Sequence, residues 1–165
     1  MFKSLMIGST IFLLNITFIV SVMAHTGVNE KDISRTLDQF HQAAANAELD
    51  TYFNLFTDNA VFLGTDGSER WTKSEFKAYV EPLFKKGIGW LYTSNERNIT
   101  QLNNGDIAFF DELLNNETYG YCRGTGLLVK TKQGWKISQY NLSVPVPNAI
   151  SASIVQKIQQ HHSKQ

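Results

Sequence analysis

Apolar positions recur at three- and four-residue steps along the first half of the chain and at every second residue from Trp90 onward. Ile33, Leu37, Phe40, Ala44 and Ala47 mark one face of an amphipathic helix over residues 29–47, with Asn29 as the expected cap. Leu49, Tyr52, Phe53 and Phe56 predict a second, short helix that ends at Asp58-Asn59. Ala60 to Leu63 reads as a brief strand, followed by turn chemistry in Gly64-Thr65-Asp66-Gly67-Ser68. Thr72-Lys73-Ser74-Glu75 fits a capping box, so a third helix is expected to start there. Phe76, Tyr79, Val80, Leu83 and Phe84 give that helix its buried face, Pro82 falls in its last turn, and Gly87 ends it.

Four strands are expected next, over residues 90–102, 107–114, 119–131 and 135–144. The intervening Asn103-Asn104-Gly105, Asn115-Asn116 and Lys132-Gln133-Gly134 are hairpin signals, so these strands form an antiparallel meander. After Pro145 and Pro147, the residues Ile150, Ile154, Val155 and Ile158 predict an amphipathic terminal helix, and His161-His162 its solvated end. Helices followed by a long meander define an α+β domain, with the N-terminal helices packed in the concave face of a strongly curved antiparallel sheet.

The extreme N-terminus stands apart from this pattern. Lys3 precedes an almost uncharged apolar run from Leu5 to Val20, and Val22-Met23-Ala24 has the small-residue pattern of a cleavage site. Residues 1–24 are therefore expected to be a signal peptide, with a membrane anchor as the competing reading of a run of about 18 uncharged residues. The expected location is periplasmic or secreted, with no membrane contact once the signal is cleaved. The domain would then cover residues 25–147 and the tail residues 148–165.

With 165 residues, 42% apolar and 18% charged, the chain has the composition of one packed globular domain. Loss of residues 1–24 removes Lys3 and no acid, leaving 14 basic against 15 acidic residues. A near-neutral surface argues against nucleic-acid binding, which needs clustered Lys and Arg. Cys122 is the single cysteine, so no intramolecular disulfide supports the fold. No metal-ligand spacing or nucleophile arrangement is evident, and no cofactor is expected.

The candidate chemistry follows from alternation. His41 lies beside the Leu37 and Phe40 stripe, where the plain reading is an imidazole bonded to a backbone carbonyl. In the last strand Trp135, Ile137, Gln139, Asn141 and Ser143 share a face, leaving Tyr140 and Leu142 to point outward. The same logic turns Ile107, Phe109, Asp111 and Leu113 inward, together with Tyr121, Arg123, Thr125 and Leu127. Asp111 and Arg123 would then pair, since a lone buried charge costs several kcal/mol; a structural ion pair at the sheet rim is the plain alternative. Trp71, Trp90 and Tyr92 are wall candidates, as rings with one polar atom suit a ligand mouth, with core packing as the equal alternative, and Tyr52 joins them. Asp66 is first a turn residue. An outer face carrying Tyr140, Leu142, Phe110 and Leu128 would leave apolar area exposed, which predicts a homodimer.

The order of elements, with FHQAAANAELDTYFNLFTDNAVFLG early and QGWKISQYNLS late, resembles the SnoaL-like branch of the nuclear-transport-factor-2-like superfamily over roughly residues 30–147. The resemblance implies a cone with one apolar pocket at its open end. Members include ketosteroid-isomerase-like enzymes, cyclases, dehydratases and proteins that only bind or assemble. The isomerases' oxyanion-hole tyrosine falls at about His41 and their general-base aspartate at about Gly64; neither residue type is preserved, and Asp66 lies two positions on.

Two functions follow. The first is an exported small-molecule-binding or assembly domain, favoured by the changed isomerase positions. The second is a cofactor-free isomerase, cyclase or dehydratase for a small apolar carbonyl compound. There His41 or Asp111 would be the acid or base, and Arg123 or Asn141 would hold the oxyanion. Convergence of His41 and Asp111 in one closed pocket distinguishes them.

Overall fold

A computed structural model describes residues 14–102 and 105–164, with side chains from Glu30 onward. The expected signal peptide therefore lies outside the described side chains, and residues 1–13 lie outside the described backbone. Among the described residues no helix is long and apolar enough to cross a membrane.

Helix α1 spans Leu14–Ala45 and α2 spans Leu49–Asn54. Strand β1 is Phe56–Leu63, and β2 is Arg70–Thr72. Helix α3 is Lys73–Phe84. Strands β3 (Thr93–Leu102), β4 (Ile107–Asn116), β5 (Gly120–Thr131) and β6 (Gly134–Ser143) follow, and α4 (Ser151–His162) closes the chain. Asn29 lies inside α1 and not at its start, because the helix begins fifteen residues earlier. The capping box of α3 is formed: Thr72 Oγ1 accepts from the Glu75 N–H at 3.3 Å, and the Glu75 carboxylate accepts from the Thr72 N–H at 2.8 Å.

The six strands form one curled sheet in the order β2-β1-β6-β5-β4-β3. All neighbours are antiparallel except β1 and β6, which run parallel. The sheet is thus mixed, because β1 is placed beside the last strand only after the long excursion through α3 and the meander. Ile33, Leu37, Phe40 and Ala44 of α1 are all buried, as their spacing predicts. They pack with Tyr52, Phe53, Phe56 and Phe76 into an aromatic core, where Phe40 stacks on Tyr52 at 4.8 Å.

Strict alternation fails at two points of the meander, besides an irregularity in β1 between Phe56 and Val61. In β6, Ile137 pairs with Leu128 and Gln139 with Leu127, so Ser138 is an extra residue. In β3, Ser94 pairs with Leu114 and Glu96 with Leu113, so Asn95 is extra. Each bulge inverts the facing of every residue beyond it. Trp135 and Ile137 face the core, but past Ser138 the buried residues are Tyr140 and Leu142, while Gln139, Asn141 and Ser143 face out. The expectation that Tyr140 and Leu142 form the outer face is thereby corrected.

Strands β4 and β5 take the parity opposite to the expected one. Ala108, Phe110, Glu112 and Leu114 face the core, with Cys122, Gly124 and Leu128 across from them. Phe110 and Leu128 are therefore interior residues, not outer ones. The two rows of β4 are about equally apolar. The rejected register, however, would bury Asp111, Arg123 and the large Tyr121, whereas the observed one buries a single charge, Glu112. Glycines decide the fit: a Cβ on Gly126 would strike Phe110 and the Gln139 carbonyl, and one on Gly124 would strike the Tyr140 hydroxyl.

Deleting Ser138 restores simple alternation and swings Tyr140 and Leu142 to solvent. The expected loss is roughly 5 kcal/mol of stability from burial alone, read as a large drop in the urea midpoint; an unchanged midpoint would count against the bulge as the device that orients β6.

Candidate functional site

Ser34, Asp38 and His41 lie four and three residues apart on α1 and so share one stripe of the helix. That polar stripe faces Arg97 of β3 and Glu112 of β4. Arg97 and Glu112 are register partners, which sets their side chains next to each other on the inner face. The Glu112 side chain has no exposed surface.

Three donors surround its carboxylate. His41 Nε2 lies 2.7 Å from Oε1, the Tyr140 hydroxyl donates to the same oxygen at 3.1 Å, and Arg97 Nε donates to Oε2 at 2.9 Å. Arg97 extends the network outward: its Nη1 reaches Asp38 Oδ1 at 2.7 Å, Ser34 Oγ at 2.8 Å and the Ser34 carbonyl at 3.0 Å. His41 is thus buried, as expected, but its partner is a carboxylate rather than a backbone carbonyl.

Burial alone would raise the Glu112 carboxyl. The His41 hydrogen bond and charge, together with the Arg97 guanidinium, outweigh burial and hold it below the ordinary carboxylate range. Burial would lower the Arg97 guanidinium, and the Glu112 and Asp38 carboxylates more than offset it. Tyr140 is pushed up by burial and by the adjacent Glu112 charge. Both carboxylate oxygens of Glu112 are engaged, while Arg97 Nη2 is buried without a partner, so the cluster is a buried ion-pair network and not an open acid–base pair.

A cleft of about 260 Å³ opens between α3, the β1–β2 turn and β6. Phe62, Trp71, Tyr79, Trp90, Tyr92 and Tyr119 wall it. The buried cluster lies directly behind: the His41 ring is 6.5 Å from Tyr92, and the Tyr140 ring stacks on Phe62 at 5.7 Å and 9°. From Tyr140 a column of near-parallel rings runs through Phe62, Phe76 and Trp71 to Tyr79, with successive centroids 5.7, 3.9, 5.5 and 5.2 Å apart. Tyr79, at the outer end, is 53% exposed.

The expected site residues divide sharply. Trp71, Trp90 and Tyr92 line the cleft. Tyr52 does not; it is fully buried between Phe40 and Phe56, and burial raises its hydroxyl. Asp66 is exposed and accepts from the Ser68 N–H at 2.8 Å and the Ser68 hydroxyl at 2.6 Å, bonds that lower its carboxyl. It shapes the turn that carries Gly64, Thr65 and Glu69 into the cleft wall.

Asp111 and Arg123 are both exposed on the outer face and form no pair with each other; their register partners are Thr125 and Leu113, and Asp111 accepts instead from Asn98 at 3.3 Å. Asn141 also faces away from the cleft, turned out by the Ser138 bulge. His41 and Asp111 therefore do not converge. The residues missed, Arg97, Glu112 and Tyr140, follow from the bulges and from the parity of β4. Their one legible trace is Gly124-Thr125-Gly126, small residues on the row that must receive large neighbours.

A curled α+β cone with an aromatic cleft at its open end defines a class of small pocket-bearing domains. Residues 33–147 match the model of the SnoaL-like domain, and the chain belongs to that family. Among solved structures it is similar to a nuclear-transport-factor-2-like protein with a cystatin-like fold from Novosphingobium aromaticivorans, at TM-score 0.62 and 11% identity over 81% of this chain and 93% of that one. It is similar as well to a candidate scytalone dehydratase from the same organism, at TM-score 0.64 and 12% identity over 75% and 89%. A candidate dehydratase of the nuclear-transport-factor-2-like family from Streptomyces avermitilis gives TM-score 0.61 and 12% identity over 71% and 96%. These likenesses establish the shared cone. No curated protein matches the chain.

Folded Glu112 binds its proton more weakly than the unfolded chain does. Its contribution to stability is therefore complete above the ordinary value of 4.5 and is lost as pH falls through the lower folded value. Glu112→Gln removes the buried charge that Arg97 and His41 face and is expected to cost about 3 kcal/mol at pH 7; Tyr140→Phe removes one hydrogen bond and costs about 1 kcal/mol. Urea denaturation at pH 7 and pH 4 checks both, and Glu112→Gln should flatten the acid side of the profile.

Proposed function

We propose that this chain is an exported, small-molecule-binding member of the SnoaL-like family, whose site is the aromatic cleft at the open end of the cone. The observation that carries this reading is the wall itself: seven aromatic side chains, Phe76 of α3 among them, converge from five separate segments on one concave surface. Rings at a solvent-facing mouth cost a monomer little when a flat apolar body covers them. The network around Glu112 supports binding over catalysis, because both carboxylate oxygens already accept from protein donors and the side chain has no exposed surface to meet a ligand. Export rests on the N-terminal leader pattern, and a periplasmic or secreted location goes with it.

Saturation-transfer NMR with a panel of small aromatic and carbonyl compounds tests the site. Wild-type protein is expected to bind members of the panel. Leu83→Trp, which adds a ring to a half-buried wall position, should weaken them at least about tenfold with an unchanged far-UV circular dichroism spectrum. Equal binding by the variant would place the site elsewhere.

We also propose a homodimer through the outer sheet face. Phe109 and Tyr121 are 44% and 71% exposed there. Arg123 on β5 and Asp111 and Glu96 on neighbouring strands supply opposite charges that a two-fold axis can pair between copies. Light scattering should give twice the chain mass at micromolar concentration and the single mass for Phe109→Lys; a monomeric wild type would refute the dimer.

A further inference from the structure

The cleft is chemically lopsided. Among the described residues that line it, Glu69 is the only charged side chain; every other lining residue is aromatic, aliphatic, glycine or threonine. Glu69 is half-buried, and its Oε2 accepts only a long bond, 3.2 Å, from the Asp66 N–H. Its carboxylate lies so close over Gly64 that any side chain there would strike it. None of the ion pairs among the described residues engages it.

An aromatic wall carries negative potential on the faces of its rings, and these attract a cation that has given up part of its water. Tyr79 ends the stacked column with its ring centroid 5.2 Å from that of Trp71, and it is the exposed ring of the stack, beside Trp90, Tyr92 and Tyr119 in the wall. A single uncompensated carboxylate at the rim of that wall adds a full negative charge. A neutral carbonyl compound uses neither feature. An anion is repelled by both.

We infer that the cleft binds an organic cation, a quaternary ammonium or protonated amine carried on a small apolar body, with the cationic head against Glu69 and the rings. The inference rests on the cleft being the binding site and adds the charge of its ligand. The rings would take the alkyl surface of the head group and the carboxylate its charge, without a buried ion pair to desolvate completely.

The test uses molecules that match in shape and differ in charge. Choline and benzyltrimethylammonium are titrated against their neutral carbon isosteres, 3,3-dimethylbutan-1-ol and neopentylbenzene, by isothermal calorimetry and saturation-transfer NMR. Each cation is expected to bind at least about tenfold more tightly than its isostere. Glu69→Gln keeps the shape of the side chain and an acceptor for the Asp66 N–H, so the fold is retained; it should reduce cation affinity about five- to tenfold and leave the isosteres unchanged. Tyr79→Leu, at a half-exposed position, should weaken the cations more than the isosteres.

If the isosteres bind as tightly as the cations, the charge assignment is overturned while the cleft remains the binding site. If Glu69→Gln and Tyr79→Leu both leave cation affinity unchanged, the cations bind elsewhere and the assignment falls. If neither these probes nor the aromatic and carbonyl panel bind, the cleft reading itself fails along with it.

Discussion

A carboxylate with no exposed surface must be matched by donors or it destabilises the protein by several kcal/mol, and Glu112 sets that requirement at the centre of this fold. Its donors come from three different segments: His41 from the long helix, Arg97 from the adjacent strand, Tyr140 from the last strand. Satisfying one charge therefore fixes how α1 lies on the sheet and which faces of β3, β4 and β6 turn inward. Arg97 passes the constraint outward to Asp38 and Ser34, so the helix is held at two levels of its polar stripe.

Two extra residues make this arrangement possible. Without the bulge at Asn95, the row that begins with Ser94 would continue inward through Glu96, and Arg97 would face solvent. Without the bulge at Ser138, Tyr140 would face solvent as well. The polar cluster thus depends on irregularities in the ladder, and the glycines at 124 and 126 leave room for the rings that the bulges bring in. Sheet geometry and side-chain chemistry are solved together here.

The cluster also organises the cleft without entering it. Tyr140 begins the column of stacked rings that ends at Tyr79, and the His41 ring lies behind Tyr92. A buried, hydrogen-bonded floor supports the aromatic wall from behind, which lowers the entropic cost of ordering the side chains of a binding surface. The solved structures similar to this chain share the cone. Here the opening carries rings and one acid, and the groups best suited to proton transfer are sealed beneath it.

Legible in the sequence were the amphipathic helical stripes, the capping box at Thr72, the four-stranded meander and the core positions Ile33, Leu37, Phe40 and Ala44. Those features rest on local periodicity and local hydrogen bonding, which any stretch of chain displays on its own. The resemblance in the Phe40 and Trp135 regions added the cone. Facing was settled by packing across the strands: Asp111, Arg123 and Asn141 outside, Tyr52 in the core, and Glu112, Arg97 and Tyr140 together inside. Alternation is a period of two, so a single bulged residue reverses everything after it, and two rows of similar apolarity on β4 leave the choice to neighbours on other strands. A pairing between residues 41 and 112 has no local signature. It exists because burying one carboxylate cost less than burying Asp111 and Arg123, and that comparison is made only when the whole sheet closes over α1.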